Sequence, residues 1–203
     1  GSTAIKRYES LGRIMQSKVN VAVDAMGGDH SPGEIVKGAV DAVNERGEVE
    51  VFLAGRKEAV EQELSRYHYP EDRVHVVDAG EVISNDEAPV FAIRTKKDSS
   101  IVVALNLVKK GEADAFVSAG STGAVLVGAQ LIVGRIKGVE RPPLAPLMPT
   151  LSGVSLLVDC GANVDARPSH LVQFAKMGSI YMENVVGIKN PRVAIVNVGV
   201  EEE

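Results

Sequence analysis

Four short runs of the chain join glycine to small polar or acidic residues: Asp24-Ala-Met-Gly-Gly-Asp29-His30, Ser118-Ala-Gly-Ser-Thr-Gly123, Asp159-Cys-Gly-Ala-Asn163 and Asn197-Val-Gly199. Glycine lets a backbone come close to a ligand. Where a helix starts just after such a turn, its unpaired N–H groups and positive dipole end stabilise an anion. Together the four runs describe a site rich in backbone donors and suited to phosphate. Taken singly, each is also what any tight strand-to-helix turn requires.

Ionisable side chains stand around these runs. Asp29 and His30 close the first turn, where His30 is either a general base or a capping or solvent-exposed histidine. Ser121 and Thr122 can cap the following helix or share its end with a ligand oxygen. Lys96 and Lys97 suit a phosphate or an acidic partner, or simply solvent. Arg135, Lys137 and Arg141 form a second basic cluster, fit for a helix C-terminus or for docking an anionic partner. No run matches the dinucleotide fingerprint Gly-x-Gly-x-x-Gly, the Gly-Lys-Ser/Thr ending of a nucleotide loop, or a Gly-x-Ser-x-Gly elbow. No metal cluster stands out, and neither a metal nor a cofactor is expected.

The elements that position these residues follow from hydrophobic period. Short Val-rich runs alternate with helical segments, which predicts an α/β fold with a mainly parallel, doubly wound sheet. Strands are expected at Val19 to Ala25, Val49 to Ala54, Val74 to Asp78, Ala113 to Ser118, Val154 to Asp159 and Val193 to Val198. Between them fall helices from Ser31, with Ser31 as cap, Pro32 in the first turn and Glu34 closing a capping box, then from Lys57 to Tyr67, Ile101 to Lys110, after Gly123 to Gly134, and Ser169 to Val186. Ser84 to Glu87 carries a second Ser-x-x-Glu start signal. The stretch from Gly80 to Ser100 reads in part as an exposed functional loop, and the Pro-rich passage Arg141 to Pro149 cannot be regular helix.

The composition agrees with this layout. The 203 residues are 45% hydrophobic with 20 glycines, no Trp and a net charge of −5, which gives no general attraction to nucleic acid. A single cysteine, Cys160, read as a small core residue, excludes an internal disulfide and points to a cytoplasmic setting. The apolar run Ala124 to Val133 is shorter than the roughly 20 residues of a membrane span. Residues 1–17 read as a tag or flexible extension. Residues 18–203 read as the N-terminal portion of one domain whose C-terminal part is missing.

Taken in order, Val21-Ala-Val-Asp-Ala-Met-Gly-Gly-Asp-His30, Lys96-Lys-Asp-Ser-Ser100, Ser118-Ala-Gly-Ser-Thr-Gly-Ala124, Gly134-Arg-Ile-Lys-Gly138 and Asp159-Cys-Gly-Ala-Asn-Val-Asp165 closely resemble the acyl carrier protein-dependent phosphate acyltransferases of bacterial phospholipid synthesis. Ser121 stands where many of those proteins carry Asn, and Cys160 and Ala166 also depart from the common pattern. The resemblance implies a three-layer α/β/α sandwich and a homodimer. It also implies transfer of a long-chain fatty acyl group from acyl carrier protein to inorganic phosphate, the acyl phosphate then serving a membrane glycerol-3-phosphate acyltransferase. The protein would be cytoplasmic with peripheral membrane contact.

On that footing phosphate is itself the nucleophile, and no Ser or Cys nucleophile is needed. Gly27, Gly28, Ser99, Ser121, Thr122, Gly123 and Asn163 are the expected phosphate or substrate contacts. Lys97 is the candidate cation, and Asp29 or His30 the candidate proton handler. Rivals are a phosphate acyltransferase using a coenzyme A thioester, a decarboxylating dehydrogenase on a similar sheet, and a scaffold that binds carrier protein without turnover.

Overall fold

Runs of β-branched residues with a period of two build the sheet. In the computed structural model, which describes residues 18–163 and 165–196, β1 (Val19–Asp24), β2 (Val49–Gly55), β3 (Val74–Asp78) and β4 (Ala115–Val117) form one parallel sheet in the order β3-β2-β1-β4. Val21, Val23, Val51, Leu53, Val74 and Val76 belong to a core cluster on one face. Ala22, Phe52, Ala54, Val77 and Phe116 belong to the cluster on the other. Both faces are thus covered, as a parallel sheet requires.

The covering helices match those faces. α1 (Gly33–Glu45) buries Val36, Ala39, Val40 and Val43, one stripe at helical spacing, and α2 (Lys57–Leu64) buries Val60 and Leu64 against the same cluster. Two further helices, α3 (Pro89–Thr95) and α4 (Ser100–Lys110), follow β3. α4 supplies Ala104 and Leu107 to the opposite face of the sheet. Its other side packs with α3 and with α5 (Thr122–Gly128) through Ile93, Ile101, Leu105 and Ala124. The result is the expected three-layer α/β/α arrangement. α5 continues as a wider π turn, Ala129–Val133, ended by Gly134 at φ +98°.

Several local expectations give way. α1 starts at Gly33 without a side-chain cap, because the Ser31 hydroxyl instead donates to the Met26 carbonyl at 2.9 Å, tying the turn back on itself. Ser84 to Glu87 starts no helix. The Glu87 carboxylate accepts from Ser84 N–H at 2.8 Å, half a capping box, but Lys96 also claims it at 2.6 Å and the helix begins only at Pro89. The segment from Gly80 to Ser100 is therefore largely tied down, with Asp98 and Glu81 exchanging bonds across its base.

Contact density divides the chain after Gly134 into two compact units. In the second, β5 (Leu147–Thr150) and β6 (Gly153–Leu156) pair antiparallel as a hairpin. The Pro-rich passage holds no helix, as expected, and ends in a strand, while the run from Val154 belongs to a hairpin and not to a parallel sheet, which corrects the expectation for it. Pro149 is tolerated because a two-stranded ribbon has only edges. α6 (Pro168–Tyr181) follows and passes into a second π turn, Met182–Val186. Residues 193–196 have no regular structure, against the strand expected there, and residues 197 and 198 lie outside the described residues, as does the Asn197-Val-Gly199 turn. Cys160 is half-buried rather than in the core.

Candidate functional site

The strand order places a switch point between β1 and β4. The chain leaves β1 toward β2 and β3, then returns to the other side of β1, so the connections leave in opposite directions and open a crevice beyond the carboxyl ends. Val23 pairs with Val117, which puts Asp24 and Ser118 side by side at those ends. Two of the four glycine turns therefore meet, although 94 residues separate Asp24 from Ser118.

The meeting is close. A Cβ on Gly27 would lie 2.4 Å from Asp24 Oδ2 and 2.8 Å from Gly120 N, and one on Gly120 would lie 3.3 Å from Gly27 Cα. Gly28, at φ +91°, sits against Ala119. Only glycine permits this approach and this backbone angle. Asp24 itself is 1% exposed. Its Oδ1 accepts from Met26 N–H at 3.2 Å, and its Oδ2 accepts from the Ser118 hydroxyl at 2.7 Å, which in turn accepts from Gly120 N–H at 3.0 Å.

Beyond Gly120 the chain enters α5. Ser121 is its N-cap, the buried hydroxyl accepting from Ala124 N–H at 3.3 Å, while Thr122 is exposed. The N–H groups of Thr122 and Gly123 lie in the first turn, where no intrahelical acceptor exists. Gly123 also meets α3, since a Cβ there would stand 2.8 Å from Pro89 Cγ. Asp29 and His30, at the tip of the first turn, are exposed.

Other candidate residues are placed elsewhere or otherwise engaged. Lys97 is exposed and its ammonium donates to the Ile93 carbonyl at 3.1 Å. Lys96 donates to Glu87 and to the Val82 carbonyl at 2.7 Å. The Lys96 ammonium holds the Glu87 carboxyl below the usual range, with the Ser84 N–H second. Ser99 is fully buried and its hydroxyl donates to the Lys96 carbonyl at 2.8 Å.

Asn163 lies in the second unit. Its side chain donates to Asp159 Oδ2 at 2.7 Å and to the Pro142 carbonyl at 3.3 Å, while Asp159 also accepts from the N–H groups of Leu144, Ala162 and Asn163. That turn is held by one carboxylate. In the same unit the Arg135 guanidinium donates to the Glu140 carbonyl, and buried His170 accepts from Arg167 N–H and pairs with Glu140 at 3.1 Å.

Sequence reasoning takes Asp24 and Ser118 as turn boundaries and assigns them no role. The available signal is a carboxylate closing a mostly apolar strand, Val-Asn-Val-Ala-Val-Asp, three positions before a glycine pair.

A parallel sheet whose glycine turns close over a switch point defines the chain's first unit as an α/β protein with its crevice between β1 and β4. Residues 19–203 match the family described as "Fatty acid synthesis protein", and the chain belongs to that family. A protein of Clostridium novyi (strain NT) named "Phosphate acyltransferase" is 52% identical over 185 residues, covering 91% of this chain and 56% of that protein. One of the same name from Clostridium botulinum (strain Alaska E43 / Type E3) is 54% identical over 185 residues, with 91% and 56% covered. The chain thus spans about half the length of the curated relatives it matches.

Among solved structures, a phosphotransacetylase from Streptococcus pyogenes superposes with a TM-score of 0.64 at 19% identity, over 84% of this chain and 55% of that one. This likeness bears on the fold. Among the described residues no helix is long and apolar enough to cross a membrane.

Proposed function

We propose that the chain carries the phosphate-binding part of an acyltransferase that moves a fatty acyl group from an acyl carrier protein thioester to inorganic phosphate. The observation that carries this reading is the closure of the Gly27-Gly28 and Ser121-Thr122-Gly123 turns over one switch-point crevice, in a chain more than half identical to proteins named phosphate acyltransferase. Backbone N–H groups there suit the oxygens of phosphate, and a helix start adds its dipole.

In this reading phosphate attacks the thioester carbon. The C–S bond breaks after a tetrahedral intermediate, the thiol leaves on the carrier, and acyl phosphate is released. The protein's task is to hold phosphate in line and to stabilise the oxyanion, with Thr122 and Gly123 N–H as donors. Asp29 or His30, exposed at the rim, handles the proton, and Lys97 supplies positive charge once its ammonium leaves the Ile93 carbonyl. Ser99 acts through the loop it holds beside Lys97. A homodimer, a cytoplasmic setting with peripheral membrane contact, and delivery of the product to a membrane glycerol-3-phosphate acyltransferase complete the proposal.

The test mixes the protein with labelled inorganic phosphate and either a long-chain acyl carrier protein or the matching coenzyme A thioester. Acyl phosphate formed from the carrier-bound donor supports the reading. Product from coenzyme A alone replaces the donor, and carrier binding without product replaces the enzyme with a scaffold.

A further inference from the structure

Asp24 is an ionisable group at 1% exposure, and among the described residues it forms no ion pair. Burying a carboxylate with only neutral donors is unfavourable, so packing alone does not account for it. We infer that Asp24 and Ser118 are a positioning pair that sets the phosphate-binding turns in register. This rests on the phosphate reading above and adds to it two residues that touch no substrate.

The chemistry fixes the direction of each bond. A carboxylate only accepts, so the Ser118 hydroxyl donates its single proton to Asp24 Oδ2, which fixes its rotamer and turns a lone pair toward Gly120 N–H. The Ala119-Gly120 peptide is thereby oriented with its N–H inward. In a trans peptide the carbonyl points the opposite way, and Ala119 O lies 3.4 Å from the Cβ position of Gly28. One carboxylate therefore governs both turns: its own strand leads into Gly27-Gly28, and through Ser118 it aims the peptide that enters Ser121-Thr122-Gly123. An apolar pair of the same volume would fill the space but orphan the Gly120 N–H.

Charge and positioning make opposite predictions. A buried negative charge repels phosphate, so if charge were its only influence, Asp24→Asn would tighten phosphate binding. If Asp24 positions the turns, Asp24→Asn weakens it, because an amide whose oxygen stays on Met26 N–H presents N–H to Ser118, so the hydroxyl proton loses the acceptor that fixes its rotamer and the bond to Gly120 N–H is no longer held in place.

Titration calorimetry of the full chain with inorganic phosphate distinguishes them. Asp24→Asn and Ser118→Ala are each expected to weaken phosphate binding about tenfold, and the double variant to be no weaker than about threefold beyond either, since both break one relay. Val43→Ala, a comparable loss in the core under α1, controls for stability and is expected to leave phosphate affinity unchanged. Tighter or equal binding by Asp24→Asn overturns the inference, as does full additivity, or an equal loss in Val43→Ala. If the unsubstituted chain shows no saturable phosphate binding, the phosphate reading falls and the inference with it. Loss confined to the variants' relay pattern leaves both standing.

Discussion

The contact between the two turns can be tested by adding one methyl group. In Gly27→Ala the new Cβ would stand 2.4 Å from Asp24 Oδ2 and 2.8 Å from Gly120 N, where ordinary contact begins at 3.4 Å. The shortfall is about 1 Å on one side and about half that on the other. Neither neighbour yields easily: Asp24 is buried and held by Ser118, and Gly120 N is backbone. Gly27 is not among the glycines with positive φ, so the strain is steric and not conformational. Overpacking of this kind costs about 1–3 kcal/mol, and the upper part of that range is expected. Gly38, inside α1 with nothing within 4 Å of its Cβ position, is the internal control. There the same substitution should stabilise by about 0.5–1 kcal/mol through helix propensity. Urea unfolding followed by far-ultraviolet circular dichroism should move the midpoint down for Gly27→Ala and up for Gly38→Ala with unchanged slope. A Gly27→Ala chain as stable as its parent would refute the interlocked turns.

Further substitutions probe other parts of the molecule. Lys96→Met removes the 2.6 Å partner of Glu87, and because solvent reaches both side chains the loss of stability in urea unfolding should be small. The folded-state pKa of Glu87 is lowered from 4.5, so that contribution is present above the unfolded value and disappears as pH falls through the folded one. The stability gap between parent and Lys96→Met should therefore be full at neutral pH and narrow in acid to what the lost bond to the Val82 carbonyl leaves, and a gap of the same size at neutral pH and in strong acid would deny the ion pair. His170→Ala, which strips the Arg167 N–H acceptor and the tilted ring contact with Phe174, should lower the second unit's stability by about 2–4 kcal/mol in thermal unfolding. Asp159→Asn halves the acceptor capacity at the hub of its turn, and faster hydrogen exchange is expected at the Leu144, Ala162 and Asn163 amides.

The first unit is legible in the sequence because its signals are local and repeat. Val-rich runs with a period of two, separated by helical stripes such as Val36, Ala39, Val40 and Val43, leave little choice but a parallel sheet with covered faces. What a sequence does not carry is which groups already have a partner. Ser31 and Glu87 look like caps, yet the Met26 carbonyl and Lys96 outcompete the helix ends for them. The role of Asp24 depends on a hydroxyl that is near only after β4 has docked on β1. Of the hairpin, the strand from Val154 is legible, but its partner Leu147–Thr150 is hidden because its flanking and internal prolines, above all Pro146 and Pro149, argue against helix and mask a strand that never has to sit inside a sheet.

The pairing of β1 with β4 also ties the crevice to the folding of the whole first unit. The bond between Asp24 and Ser118 closes a loop across 94 positions of sequence that holds β2, β3 and the helices α1 to α4. Such long-range contacts come at a high entropic cost and form only when the intervening crossovers are in place. A ligand gripped by both turns would therefore act against opening of the sheet and not only against local fraying. Its binding free energy would add to the stability of the unit as a whole, so that saturation raises the protection of the slowest-exchanging amides of β1 and β2 along with those of the turns.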